Sequence, residues 1–116
     1  RADQLRSDFG AKVKVVEWMK IQNYLSDAST IVNTTSLGMV GNTDLPIPLN
    51  TLKKNTLVTD IVYTPIETHL LATAAKMGCR TVDGLGMLIH QAIPGFERWF
   101  GIKPGDSQPL RELLIK

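Results

Sequence analysis

The sequence is poor in the features that would settle its class at a glance. A single cysteine among 116 residues, Cys79, excludes an internal disulfide and fits a reducing compartment. Aromatic residues make up only 6% of the chain, and they are not interleaved with Lys or Arg, so a nucleic-acid surface has no support. The net charge is only +2, from 13 basic and 11 acidic residues scattered without a stripe of either sign. No apolar run approaches the roughly 20 residues of a membrane span, and no signal-peptide pattern opens the chain. His69 and His90 stand far apart without ligand-spaced partners, so no metal site is read. Neither a Ser-His-Asp order nor a Cys-His pair is present to make a nucleophile. Glycine, though it occurs nine times, gives one G-x-G at Gly84 and Gly86, and Ile89 occupies the third glycine position. The chain therefore has no phosphate-cradling turn of its own.

What is present is an ordinary globular balance, 43% hydrophobic and 21% charged, with enough chain for one core. Helical and strand periodicities alternate. Residues 1–9 carry Ala2, Leu5 and Phe9 at helical spacing, with Gly10 placed to end the helix. Residues 12–16 alternate Lys with valine and are expected to form a short strand. A short helix follows over 18–24, a second strand over 29–33, and a loop punctuated by Gly38, Gly41, Pro46 and Pro48. One helical turn is expected within 49–54. The clearest strand is 56–63, apolar on both faces as a buried parallel strand should be. A helix over 66–77 stops at Gly78, and a short strand spans 80–82. The long helix 85–100 carries Leu85, Leu88, Ile89, Ala92, Phe96 and Trp99 as its apolar stripe, with a kink or break expected at Pro94. A last helix covers about 107–115. Because the chain starts at Arg1 directly in a helical pattern, it is expected to be a piece of something longer.

This alternation implies parallel strands, whose C-terminal ends share one edge of the sheet, where open α/β sheets bind ligands. Three strands end there in distinctive chemistry: Asn33-Thr34-Thr35-Ser36, Asp60-Ile61-Val62-Tyr63 and Asp83-Gly84. Met87 and Gln91 then lie four apart on one helix face, beside two glycines that allow close backbone approach. Each piece also has a plainer reading. The Thr and Ser hydroxyls can serve a local turn, Tyr63 and Met87 can fill a core, and the glycines can serve packing alone.

Taken in order, 33–39, Asp60-Ile61-Val62-Tyr63-Thr64-Pro65, Thr68-His69-Leu70-Leu71, Gly78, the run 83–92 and Phe96-Glu97-Arg98-Trp99-Phe100-Gly101 resemble the C-terminal, cofactor-binding half of shikimate dehydrogenase. They cover about two thirds of the chain. The resemblance implies an α/β fold: a partial Rossmann-like domain over 1–84 with a mostly parallel sheet, lacking the first strand and glycine-rich turn. Residues 85–116 would be C-terminal helices that pack on an absent N-terminal substrate domain. It implies NADPH-dependent reduction of 3-dehydroshikimate to shikimate on the route to aromatic amino acids, in the cytoplasm, with small molecules rather than nucleic acid or membrane as partners. By the same resemblance Asn33, Thr34, Thr35, Ser36 and Leu37 line the ribose and nicotinamide side of NADP. Ile61, Gly84 and Met87 match nicotinamide contacts, while Tyr63 and Gln91 match the pair that reaches the hydroxylated ring. Arg1 falls at the edge of the segment that reads the 2′-phosphate.

The family's acid/base lysine and its aspartate partner belong to the N-terminal domain, so no catalytic residue is expected here and the chain alone is expected to be inactive. With Phe96, Trp99, Phe100 and Ile102 deprived of a partner, it is also expected to self-associate. Two other readings remain open: a quinate/shikimate dehydrogenase using NAD, and a non-catalytic interaction module on a Rossmann remnant.

Overall fold

Three short runs of β-branched residues meet in one parallel sheet, and the computed structural model, which describes residues 1–105 and 107–115, is organised around it. The strands are β1 (Thr30–Asn33), β2 (Leu57–Asp60) and β3 (Arg80–Val82), in the order β1-β2-β3. Asn33 pairs with Asp60, and Val58 with Thr81. This register turns Ile31, Asn33, Val58 and Asp60 to one face, where Val58, Asn33 and Asp60 are buried.

That face is covered by α3 (His69–Lys76), which presents Leu70, Leu71 and Ala74. Leu25 from the short α2 (Gln22–Leu25) and Leu45, Leu49 and Leu52 from the long loop complete the core. Thr68 caps α3 by accepting from the Leu71 N–H at 3.4 Å. The opposite sheet face is bare, since Val32 and Val82 are each about half exposed. A parallel sheet normally buries both faces, and the expectation that residues 56–63 would be buried on both sides holds on one side only.

The long helix α4 (Gly84–Phe100) is capped by Asp83, whose carboxylate accepts from the Leu85 N–H at 3.0 Å, and it ends at Gly101 in the left-handed region (φ 69°). A helix C-terminus favours glycine in that conformation. The helix runs through Pro94 without a break; the missing N–H removes one bond to His90, but an exposed stretch of helix can leave that carbonyl to water. The apolar stripe is used unevenly. Leu85 and Ile89 are buried, whereas Phe96 and Trp99 are not. The last helix, α5 (Gln108–Leu114), has no buried residue and packs against α4.

The expected strand over 12–16 is not formed. Residues 10–12 are a single 3-10 turn and Val13 is extended, but no neighbouring strand takes its hydrogen bonds, and extended backbone becomes a strand only when paired. The strand expected over 56–63 is formed over Leu57–Asp60, with one further bond from the Ile61 N–H to Asn33 O at 3.1 Å, and the helix expected from residue 66 starts at His69. The first helix, α1 (Ala2–Phe9), forms as expected, yet it buries nothing: Leu5 and Phe9 are both more than half exposed.

These unburied elements show in the dimensions. The radius of gyration is 16.7 Å, against about 13 Å for a compact domain of this length. The accessible surface is 8534 Å², against about 6,300 Å² for a folded monomer of this mass. The excess, about 2,200 Å² on this one chain, is more than twice the roughly 800 Å² that each partner buries in a standard protein–protein interface.

Candidate functional site

Below the C-terminal edge of the sheet lies a buried polar cluster that holds two of the three strand tips in fixed relation. Asp60 is 1% exposed. Its Oδ1 accepts from Asn33 Nδ2 at 2.9 Å and from the Val62 N–H at 3.0 Å, and its Oδ2 accepts from the Thr68 hydroxyl at 2.8 Å. One carboxylate thus links the end of β1, the turn after β2 and the cap of α3. Asn33 carries the linkage into the following loop, donating also to Leu37 O at 3.0 Å and accepting on Oδ1 from the Thr35 N–H and hydroxyl. The Thr35 hydroxyl in turn accepts from the Leu37 N–H. No buried side-chain polar atom among the described residues lacks a partner.

The loop residues therefore divide by role. Asn33 is buried with both ends of its amide engaged, so it shapes the loop from beneath rather than offering atoms to a ligand. Thr35 has its hydroxyl engaged locally. Thr34 and Ser36 are exposed and their hydroxyls make no internal hydrogen bond among the described residues, which leaves them free for a ligand. Leu37 is half-buried against the core. The loop is tied to the neighbouring strand tip where the Val40 N–H donates to Thr64 O at 3.1 Å.

The third tip joins through Gly84. A Cβ at this position would lie 2.4 Å from Ile61 O and 2.6 Å from Val62 O, distances no side chain tolerates. Glycine is required because the start of α4 is pressed directly on the backbone of the turn after β2. Gly86 has no such constraint, with nothing within 4 Å of its would-be Cβ; it leaves an open shelf instead. Immediately around this corner, Tyr63 is 42% and Met87 46% exposed, Gln91 is exposed, and Ile61 is half-buried. Four-residue spacing sets Met87 and Gln91 on one side of α4. Met87 is not core filler, and Tyr63 is not a buried aromatic.

Arg1 lies elsewhere. It is exposed at the start of α1, a helix whose substantial packing is confined to the turn that follows it. Among the described residues there is no cluster of three or more potential metal ligands, and no helix is long and apolar enough to cross a membrane.

Asp83, at the foot of α4, stands in the sequence only as part of the Asp83-Gly84 strand end, with no partner assigned to it. Besides capping α4 it is gripped by Arg111 of α5, with Nη1 to Oδ1 at 3.1 Å and Nη2 to Oδ2 at 2.5 Å. The Arg111 guanidinium holds the Asp83 carboxyl below the usual carboxylate range, against the opposing effect of burial and with further help from the Leu85 N–H. Nothing in the sequence announces this pairing across 28 positions. Asp60 was more legible, because a carboxylate ending an apolar strand must find partners if the strand is buried.

Comparison with known proteins finds similarity along nearly the whole chain. The model of the shikimate 5'-dehydrogenase C-terminal domain matches residues 84–114. A shikimate dehydrogenase (NADP(+)) of Cereibacter sphaeroides is 59% identical over 115 residues, covering 99% of this chain and 41% of the relative. Among solved structures, a quinate dehydrogenase from Corynebacterium glutamicum in complex with NAD superposes with TM-score 0.81 at 36% identity, over 98% of this chain and 40% of the other. A shikimate 5-dehydrogenase from Thermus thermophilus in complex with NADP(H) and shikimate gives TM-score 0.73 at 27% identity, over 88% and 37%. The chain is thus similar along nearly its whole length to the C-terminal part of shikimate dehydrogenases. It spans about two fifths of the length of the curated relatives it matches.

Proposed function

We propose that this chain is the nicotinamide-facing, substrate-orienting part of an NADP-dependent shikimate dehydrogenase that reduces 3-dehydroshikimate to shikimate in aromatic amino acid biosynthesis. The observation that carries the reading is the contact of Gly84 with the carbonyls of Ile61 and Val62. It sets the double-glycine corner, with Met87 and Gln91 beyond it, directly against the strand tip that bears Tyr63.

The residues present fit one end of the cofactor. The free hydroxyls of Thr34 and Ser36, the open shelf at Gly86 and the exposed thioether of Met87 suit a ribose and a flat nicotinamide ring. NADPH, when bound, supplies the hydride. The chain's own groups bind and orient: the Tyr63 hydroxyl and the Gln91 amide hydrogen-bond the hydroxylated substrate ring, and Met87 walls off water. Leu37 and Ile61 support that wall, and Arg1 would stand near the 2′-phosphate end. By the resemblance to the family, proton transfer belongs to a lysine and its aspartate partner in the substrate domain of the longer protein. The isolated 116-residue chain is therefore inactive.

Residues 1–84 belong to the partial cofactor domain, and 85–116 to a C-terminal part whose helices have an exposed apolar face, including Phe96, Trp99 and Phe100, that packs on the substrate domain of the longer protein, a cytoplasmic enzyme. Without that cover the chain self-associates.

The test is kinetic, in the longer protein that contains this chain. Dehydroshikimate-dependent NADPH oxidation is expected, with Gln91→Ala and Tyr63→Phe each lowering kcat/KM about tenfold or more, the equivalent of one good hydrogen bond in the transition state. An unchanged efficiency in both variants would mean the corner is scaffold only. The likeness to an NAD-bound quinate dehydrogenase favours one second reading, quinate oxidation with NAD, and the same assay run with quinate and NAD decides between them.

A further inference from the structure

We propose that Arg111 is a positioning residue for the substrate corner: from α5 it clamps Asp83, and through Asp83 it fixes the orientation of α4 and so the placement of Met87 and Gln91. The inference rests on the function proposed above and adds to it a residue well outside the corner.

The geometry supports it in three ways. First, the grip is two-point. Nη1 donates to Oδ1 and Nη2 to Oδ2, a parallel pair that fixes the plane of the carboxylate as well as its position. Second, the same Oδ1 that receives Arg111 also caps α4 through the Leu85 N–H, so the clamp acts on the first turn of the helix. At about 1.5 Å per residue, Met87 lies about 6 Å and Gln91 about 12 Å along the axis from that point, and any tilt of the first turn is magnified at Gln91. Third, α4 has little else to hold its direction. Its buried residues are Gly84, Leu85 and Ile89, and the stretch beyond is largely exposed.

Gly84 presses on the Ile61 and Val62 carbonyls and acts as a pivot, but a pivot leaves rotation free. Arg111 removes that freedom. An ordinary surface ion pair contributes little. This one is less than a third exposed on both sides, at 29% and 22%, and is bidentate, an arrangement that adds geometric specificity as well as energy.

The test uses the longer protein with Arg111→Met, Arg111→Lys, Asp83→Asn and the Asp83→Asn/Arg111→Met double variant. Asn still caps a helix, so Asp83→Asn removes the ion pair and keeps the cap. Arg111→Met is expected to raise KM for 3-dehydroshikimate about fivefold or more, and Arg111→Lys, which keeps the charge without the fork, to recover only part of it. Asp83→Asn should resemble Arg111→Met, and the double variant should be no worse than either single one. A merely structural pair lowers the active fraction and the melting temperature and leaves KM within twofold; that result overturns the proposal.

Hydrogen exchange across residues 84–92 supplies a readout independent of the reaction. It should quicken in Arg111→Met. If the unaltered protein does not reduce dehydroshikimate, the proposed function fails, and exchange alone decides the clamp: unchanged protection rejects it, and faster exchange upholds it.

Discussion

The polar cluster around Asp60 and the helix pair α4 and α5 lie on either side of Gly84, and they are held together in opposite ways. The cluster is closed. Asn33, Asp60 and Thr68 are 3%, 1% and 1% exposed, and their hydrogen-bonding groups are satisfied by one another and by nearby backbone. The helix pair is open. Trp99 is 80%, Ile102 68% and Leu113 66% exposed, and an ion pair joins α5 to the foot of α4. One region carries within itself what fixes its shape, and the other displays an exposed apolar surface. The site proposed at their junction would take rigidity from the first and placement from the second.

The sharpest way to break this comparison is to remove Asp60. In Asp60→Ala the Asn33 amide, the Val62 N–H and the Thr68 hydroxyl lose a common acceptor in a place water does not reach. Leaving buried donors unsatisfied costs about 1–3 kcal/mol each before relaxation, so a loss of about 3 kcal/mol or more is expected. Urea unfolding of the 116-residue chain at low concentration should show this as a much lower midpoint, or as no folded baseline. A loss under about 1 kcal/mol would mean the cluster is not the closed unit described.

A smaller effect is expected at the junction. Gly84→Ala puts a methyl group where Ile61 O stands 2.4 Å away, and backbone cannot swing aside as a flexible side chain can. Overpacking of this kind costs about 1–3 kcal/mol or more, partly offset by alanine's better helix propensity of about 1 kcal/mol. The net expectation is about 1 kcal/mol or more lost in the same urea experiment. Gly86→Ala, with open space around it, should be neutral or slightly stabilising, and a pair of equal values would remove the reason for separating the two glycines.

The contrast also explains what could be read in advance. Alternating β-branched runs located β1, β2 and β3, and their parallel arrangement brought Asn33, Asp60 and Asp83 toward one edge, because those signals depend on neighbours in sequence. Residues 12–16 carry the same alternation and form no strand, since a pattern cannot supply a partner. The apolar stripe of α4 was visible from Leu85 to Trp99, but not that burial stops after Ile89; that depends on what lies alongside. Arg111 was invisible for a related reason: its importance comes from Asp83, 28 residues away. Asn33 belonged to the recognised loop, yet only coordinates reveal that both ends of its amide are engaged inward, while the hydroxyls of Thr34 and Ser36 make no internal hydrogen bond among the described residues.

The smallest expected effect separates open from closed most cleanly. Trp99 has the largest side chain on α4, and in a closed region its truncation would cost about 3–5 kcal/mol. Here it is 80% exposed, and Trp and Ser have similar helix propensities. Trp99→Ser should therefore change the stability of the dilute 116-residue chain by no more than about 0.5 kcal/mol. The same substitution removes much of the apolar patch formed with Phe96 and Phe100, so it should reduce concentration-dependent self-association in sedimentation. Stability and association then move independently, which is what a surface awaiting a partner requires. A loss above about 1 kcal/mol under dilute conditions would show that this face is already packed within the chain, and the division between the two regions would fall.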